Sequence, residues 1–443
     1  MNLMKSKYSL LLLGLSWLLP PHALGNDFNQ CFSDSTLRID YIFAGGPDGV
    51  GIFKNAESKQ PKWAGRRHNL KNAPIKGNGA ILVLSKETKD TLYHNTFSSL
   101  FQEWLLTPEA KETPRSFQNS FLLPLPKDEV LIKLELRDNR QKIIKEITHP
   151  FYPNDELIEI RGEDPAPHQY LHKGGDPKEV IDIAIVAEGF QQSEMDSFIY
   201  HARRFSDEIL SYEPFASNKE KFNFVAVKTP SQDHGVSIPL KKEWKNTAFN
   251  SHFSTFHSPR YLTVPELHKV HRQLEGIPYE HILIVVNTSE YGGGGIYNSY
   301  QVASANNPYT LPVSVHEFAH SFAGLADEYF YADEEDDFYP LDIEPWEPNI
   351  TTLVDFDSKW KSSLPIQYPL PIFFNDTSSD RVEAINEEVA QIGTQIGLYE
   401  GGGYRTKGIY RPTRDCRMRD NKFPKFCEVC EKTLQSVIDF YTK

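Results

Sequence analysis

His316, Glu317 and His320 stand within one short stretch, Val315–Phe330, which reads VHEFAHSFAGLADEYF. Two histidines four residues apart project from one face of a helix, one turn above the other. That spacing lets a nitrogen of each ring reach a single Zn²⁺ at about 2.0–2.1 Å. Glu317 follows the first histidine, so its carboxylate sits beside such a metal without having to bind it. Zinc lowers the pKa of a water to about 7. A neighbouring carboxylate can take that proton and deliver it to a leaving amine. The chemistry these three residue types suggest is hydrolysis of an amide.

A catalytic zinc takes three protein ligands, so a third is required. Gly324 can end the helix by turning left-handed, and Asp327, three residues on, is the candidate. Metzincins place the glycine three residues after the second histidine and the ligand three after that. Here Gly324 and Asp327 each fall one residue late, with Ala323 and Ala326 in the usual places. Glu328 is therefore an alternative, and Glu387 or Glu388 a third.

Two flanking features suit a peptide substrate. Tyr291 to Asn298 reads YGGGGIYN. With Gly293, Gly294 and Gly295 as an edge strand, it would let an extended peptide add itself by main-chain hydrogen bonds; a surface loop is the plain alternative. Met418, in Cys416-Arg417-Met418, could floor the metal site as a Met-turn. Tyr410 and Glu400 could line a cleft. Asp333 to Asp337 offers oxygens to Ca²⁺ but lacks the glycine-containing spacing of an EF-hand.

These residues need a scaffold, and the hydropathy pattern outlines one. Leu37, Ile39, Tyr41 and Phe43 recur with period two, as do Ile132, Leu134 and Leu136, the pattern of half-buried strands. Asp138-Asn139 turns the latter into a hairpin with Lys142 to Ile147, and Ile81 to Leu84 and Phe121 to Leu125 add strands. Residues 26–150 are expected to form a β-sandwich, and the Pro- and Gly-punctuated residues 151–175 a linker. From 176 to 443 the pattern becomes α/β. Val180 to Val186, Phe222 to Val227 and His281 to Val286 read as buried strands. Phe198, Ala202, Phe205 and Ile209 lie on one helix, which Ser193 and Asp196 would cap as a box. Thr263, Pro265 and Glu266 open another, Pro312 starts the helix of the histidines, and Leu434, Val437, Ile438 and Tyr441 face inward from a last helix. Strands alternating with helices imply a mixed, partly parallel sheet.

The 443 residues are 39% hydrophobic and 24% charged, which excludes a disordered or fibrous chain. A net charge of −13 with no basic block argues against nucleic acid. Lys5 and Lys7, the apolar run Ser9 to Leu19, Pro20-Pro21 and Ala23-Leu24-Gly25 form a signal-peptide pattern over residues 1–25. A secreted, periplasmic or surface location would follow, with no integral membrane segment in the mature chain. Export favours disulfides, and a bridge from Cys416 to Cys427 or Cys430 is expected. Cys427-Glu428-Val429-Cys430 could be half of a zinc knuckle, but Cys31 and Cys416 are poorly spaced to complete it. Asn287, Asn349 and Asn375 open glycosylation acceptors, moot in a bacterial protein.

The sequence resembles the IgA peptidase family of bacterial zinc metallopeptidases. The likeness is carried by Ile181 to Gly189, Asn246-Thr247, Arg260 to Thr263, Tyr291 to Asn298, His316 to Tyr329, GLYEG at 397–401, GIYRP at 408–412 and the Cys-x-Met and Cys-x-x-Cys that follow. It spans about residues 175–440, and the N-terminal part resembles the β-sandwich that precedes the peptidase in this family. The resemblance implies a metzincin-like zinc peptidase domain, with His316, His320 and Asp327 as ligands, Glu317 as base and a protein or peptide as substrate. Ala319 stands where glycine is frequent in the family. Two other readings compete: an exported surface or glycan-binding protein with a silent metal site, and a hydrolase of a non-peptide amide.

Overall fold

The computed structural model describes residues 28–330, 338–364 and 396–443. The signal-peptide pattern of residues 1–25, the acidic run 333–337, Asn375, Glu387 and Glu388 lie outside the described residues.

The N-terminal region builds two four-stranded sheets. One has the order β5-β1-β2-β8 and the other β4-β3-β6-β7, where β1 is Phe32–Gly46, β2 Gly49–Pro61, β3 Gly79–Ser85, β4 Thr91–Phe97, β5 Arg115–Pro126, β6 Val130–Arg137, β7 Ile143–Phe151 and β8 Glu159–Ile160. Leu37, Ile39, Tyr41 and Phe43 from one sheet meet Ile81, Val83, Ile132 and Leu134 from the other in a single buried core. Each such side chain stabilises the fold by roughly 1.5–3 kcal/mol on leaving water. The alternation along β1 hides a second fact: Arg38 and Asp40, on its opposite face, are buried as well. They pack against the following domain. Arg38 grips Asp40 with two parallel hydrogen bonds of 2.8 Å, pairs with Glu275 at 2.9 Å and donates to the His268 carbonyl.

Residues 151–175 carry two strands. β8 pairs with β2, while β9, His168–Lys173, joins the sheet of the next domain alongside β11. That six-stranded sheet has the order β13-β14-β12-β10-β11-β9. β10 (Ile181–Glu188), β11 (Phe222–Val227), β12 (His281–Val286) and β14 (Tyr300–Ser304) run parallel. β13 (Gly293–Ile296) and β9 close the two edges antiparallel. β10, β11, β12 and β14 are buried along their whole length, which is why they read as continuous apolar runs rather than alternating ones.

Helices cover this sheet. Met195–Ile209 buries Phe198, Ala202, Phe205 and Ile209. Its entrance is capped two residues earlier than expected. Gln191 and Glu194 make the reciprocal box, because the chain leaves β10 through Gly189 and a short 3₁₀ turn. Thr263, expected with Glu266 at the start of the next helix, does not cap it. Thr263 bonds Thr255 instead, and the helix Leu267–Gln273 begins without a side-chain cap. Thr310–Ala323 carries both histidines and packs on β13 and β14. It ends at Gly324 with φ of 58°, the left-handed turn that only glycine adopts cheaply. The C-terminal helix Glu428–Thr442 buries Leu434, Val437, Ile438 and Tyr441. Among the described residues no helix is long and apolar enough to cross a membrane.

Candidate active site

The helix Thr310–Ala323 and the turn behind it bring three ligand atoms together. His316 Nε2 lies 2.8 Å from Asp327 Oδ1 and 3.0 Å from His320 Nε2, and His320 Nε2 lies 3.3 Å from the same carboxylate oxygen. The other nitrogen of each ring faces a backbone carbonyl: His316 Nδ1 that of Arg417 at 3.0 Å, and His320 Nδ1 that of Leu325 at 2.5 Å. A carbonyl can only accept, so each Nδ1 carries a proton, and in the neutral form of each ring the inward-facing Nε2 is the nitrogen free to bind a cation. Two lone pairs and a carboxylate then converge on one point, an arrangement that calls for a cation. Burial alone would lower the pKa of His320, yet Asp327 and Glu317 raise it to about 9, so these carboxylates favour positive charge at this ring, from a second proton or from a metal ion that displaces it. Burial would likewise raise Asp327, but the two imidazoles hold it well below the ordinary carboxylate range. The donor set fits zinc, whose ligands are imidazole nitrogen and carboxylate oxygen with the outer ring nitrogens tied down.

Glu317 is half-buried on the same helix and lines a cleft of about 1090 Å³ together with His316, His320 and Asp327. Burial raises its pKa, with Asp327 adding to the effect and the two histidines opposing it. Gly293, Gly294 and Gly295 also line the cleft. They do so from β13, an edge strand, but its outer edge is already bridged by Tyr261 at Gly293. What the structure requires of these glycines is close approach. A Cβ on Gly293 would come within 2.8 Å of Glu317 Oε1, and one on Gly295 within 2.3 Å of the Glu317 carbonyl.

Glu328 turns away from the histidines. Its carboxylate meets Asn349 and the thiol of Cys430. Met418 is fully buried, and its carbonyl accepts the Glu328 amide. Tyr410 does not line the cleft. Its backbone pairs with Thr351, while Tyr404, on the turn before it, faces the site. The Tyr404 hydroxyl donates to Asp327 Oδ2 at 2.5 Å. No two cysteine sulfurs are at bonding distance, so the expected bridge from Cys416 is not formed: its sulfur lies 3.7 Å from that of Cys430.

Several contributors were invisible in the sequence. Asn349 clamps the turn that carries Asp327, accepting from the Ala326 amide and donating to its carbonyl. Asn78, Ser98 and Glu103 reach the cleft from the N-terminal region. Glu103 accepts from the Tyr261 hydroxyl at 2.5 Å, and burial raises its pKa to about 7. No spacing marks these residues, because they arrive from separate segments through tertiary packing.

Comparison with known proteins now adds a family. The model of the IgA peptidase M64 family matches residues 170–393 and 382–438, and that of the peptidase M64 N-terminus matches residues 27–148. The chain belongs to the IgA peptidase M64 family. No curated protein matches it. As an M64 peptidase the chain acts on proteins or peptides, and His316, Glu317, His320 and Asp327 fall within the matched peptidase segment.

Proposed function

We propose that this M64 peptidase is a zinc-dependent, exported endopeptidase in which Glu317 is the general base. The observation that carries this reading is the convergence of His316 Nε2, His320 Nε2 and one Asp327 oxygen, with both Nδ1 atoms engaged by carbonyls. Zinc held by these three residues would supply Lewis acidity and make water acidic enough to give up a proton near neutral pH.

The remaining work belongs to the chain. Glu317, beside the histidines at the cleft wall, takes the proton and returns it to the departing amine. Burial raises its pKa, which helps a group that must both accept and donate a proton. Tyr404 holds the second Asp327 oxygen, and the Arg417 and Leu325 carbonyls fix the two rings, so the ligands are oriented before substrate arrives. β13, Arg260 and Tyr261 wall the cleft where an extended peptide would lie. A silent site in a binding protein has no use for a carboxylate at Glu317, and export rests on the pattern in residues 1–25. The family name does not make immunoglobulin the substrate, since the loops that set specificity are not described by the motifs.

The test is hydrolysis of a peptide library by the purified chain and its Glu317→Gln variant, with zinc content measured in parallel. The expected result is cleavage by the parent and, in the variant, full zinc with a rate lowered about 10²–10⁴-fold. A variant that cleaves at the parental rate would overturn the role of Glu317.

A further inference from the structure

Behind Asp327 lies a second cluster of ligand atoms, formed by Glu328, Cys416, Cys427 and Cys430. Single ligand atoms from all four fall within 4.8 Å of one another, and all four residues are buried. We propose that this cluster is a structural zinc site, distinct from that of the histidines, which braces the turn bearing Asp327 and the carbonyl that orients His316.

The geometry separates a metal site from a disulfide. Sulfurs joined by a bond lie about 2.05 Å apart, whereas two thiolates on a tetrahedral zinc, each at 2.3 Å, lie about 3.8 Å apart. Cys416 Sγ and Cys430 Sγ are 3.7 Å apart. The Cys427 amide donates to Cys416 Sγ at 3.2 Å, a contact that favours a thiolate. Cys427 stands at the N-cap of the C-terminal helix and Cys430 in its first turn, where the positive end of the helix also favours thiolate. The fourth position is filled from far upstream. Glu328 Oε1 lies 3.3 Å from Cys430 Sγ and accepts from Asn349, and Glu328 Oε2 is buried with no hydrogen-bond partner. Buried carboxylate oxygens are rarely left so. A cation among three sulfurs and this carboxylate satisfies it, and a closed four-ligand set without room for water is the mark of a structural site.

The placement explains what the site would do. Asp327 and Glu328 are adjacent, so each binds a different cluster from the same turn. The Glu328 amide donates to the Met418 carbonyl, and Arg417, between Cys416 and Met418, supplies the carbonyl for His316 Nδ1. One ion would therefore tie together the Asp327 turn, the 416–418 turn and the C-terminal helix.

The test uses the full chain carrying His316→Ala and His320→Ala, which removes the other site and leaves this one. The double variant is expected to retain one zinc per chain and, after exchange, to show the intense thiolate-to-cobalt charge-transfer absorption of a cysteine-bound Co²⁺. The parent chain, purified without reductant, should yield all four thiols to a thiol reagent once it is denatured with a chelator present, whereas the folded, metal-loaded chain should keep Cys416, Cys427 and Cys430 protected. A double variant that holds no zinc or cobalt would overturn the proposal, and so would a disulfide among Cys416, Cys427 and Cys430. Neither outcome touches the peptidase reading, which stands on the parent chain's hydrolysis.

Discussion

At the scale of single residues the site is an arrangement of protons. Because Arg417 and Leu325 carbonyls claim the Nδ1 hydrogens, the two Nε2 atoms are the ones available to a metal in the proposed site, with Asp327 as the acid beside them. Tyr404 completes the set through Asp327 Oδ2. Tyr404→Phe is expected to weaken zinc binding about 10–100-fold, the usual cost of losing a hydrogen bond to a ligand. Competition against a zinc chelator reads it, and an unchanged affinity would contradict the role. That His316, Glu317, His320 and Asp327 would be neighbours was legible from spacing, since i, i+4 on a helix and a glycine stop need only local geometry. Tyr404, Asn349 and Glu103 were not, because nothing local to each tells which distant segment it meets. The cysteines were misread for a related reason. The fourth member of their cluster, Glu328, was visible only as a rival to Asp327.

Among the elements, β13 and the helix Thr310–Ala323 are the pair that sets the site's dimensions. Gly295 lies under the Glu317 carbonyl, so Gly295→Ala has to push the helix off the strand. It should cost about 1–3 kcal/mol, as overpacking does, and depress peptide hydrolysis further than the loss of folded protein explains. Thermal unfolding and kinetics on the same sample separate the two. β10 and β11 hold a different tension. Asp182 is fully buried, accepts from Asn223 through one oxygen and has no partner for the other. Burial, reinforced by Asp176, raises its pKa to about 7. Folding therefore favours the protonated acid, and that stability is present below about pH 4 and lost as pH rises through 7. Asn resembles the protonated form at every pH. Asp182→Asn should leave Tm nearly unchanged at pH 4 and raise it at pH 8; equal shifts at both would contradict the assignment. The strands β11 and β12 were readable with their observed bounds because a buried parallel strand is an unbroken apolar run. The two helix caps were not, since several polar residues competed within one turn.

On the scale of the whole molecule, the N-terminal sandwich is part of the cleft rather than an appendage. Asn78, Ser98 and Glu103 line it, the Ser98 amide donates to the Tyr297 carbonyl, and Asn298 donates to Asn95 and Thr96. The buried Arg38, shared among Asp40, Glu275 and the His268 carbonyl, locks the two domains. Arg38→Ala strands buried carboxylates and is expected to cost about 3–5 kcal/mol, with earlier proteolytic cutting between the domains. Parental resistance to proteolysis would contradict it. Period-two patterning revealed the sandwich but not this interface, because Arg38 and Asp40 look like a solvent face until a second domain covers them. The central claim, that His316, His320 and Asp327 hold a metal ion, is tested most directly by anomalous scattering at the zinc edge from crystals of the full chain. The account predicts a peak within about 2.0–2.2 Å of His316 Nε2, His320 Nε2 and one Asp327 oxygen. Histidines bonded directly to Asp327, with no anomalous density between them in zinc-containing crystals, would contradict it.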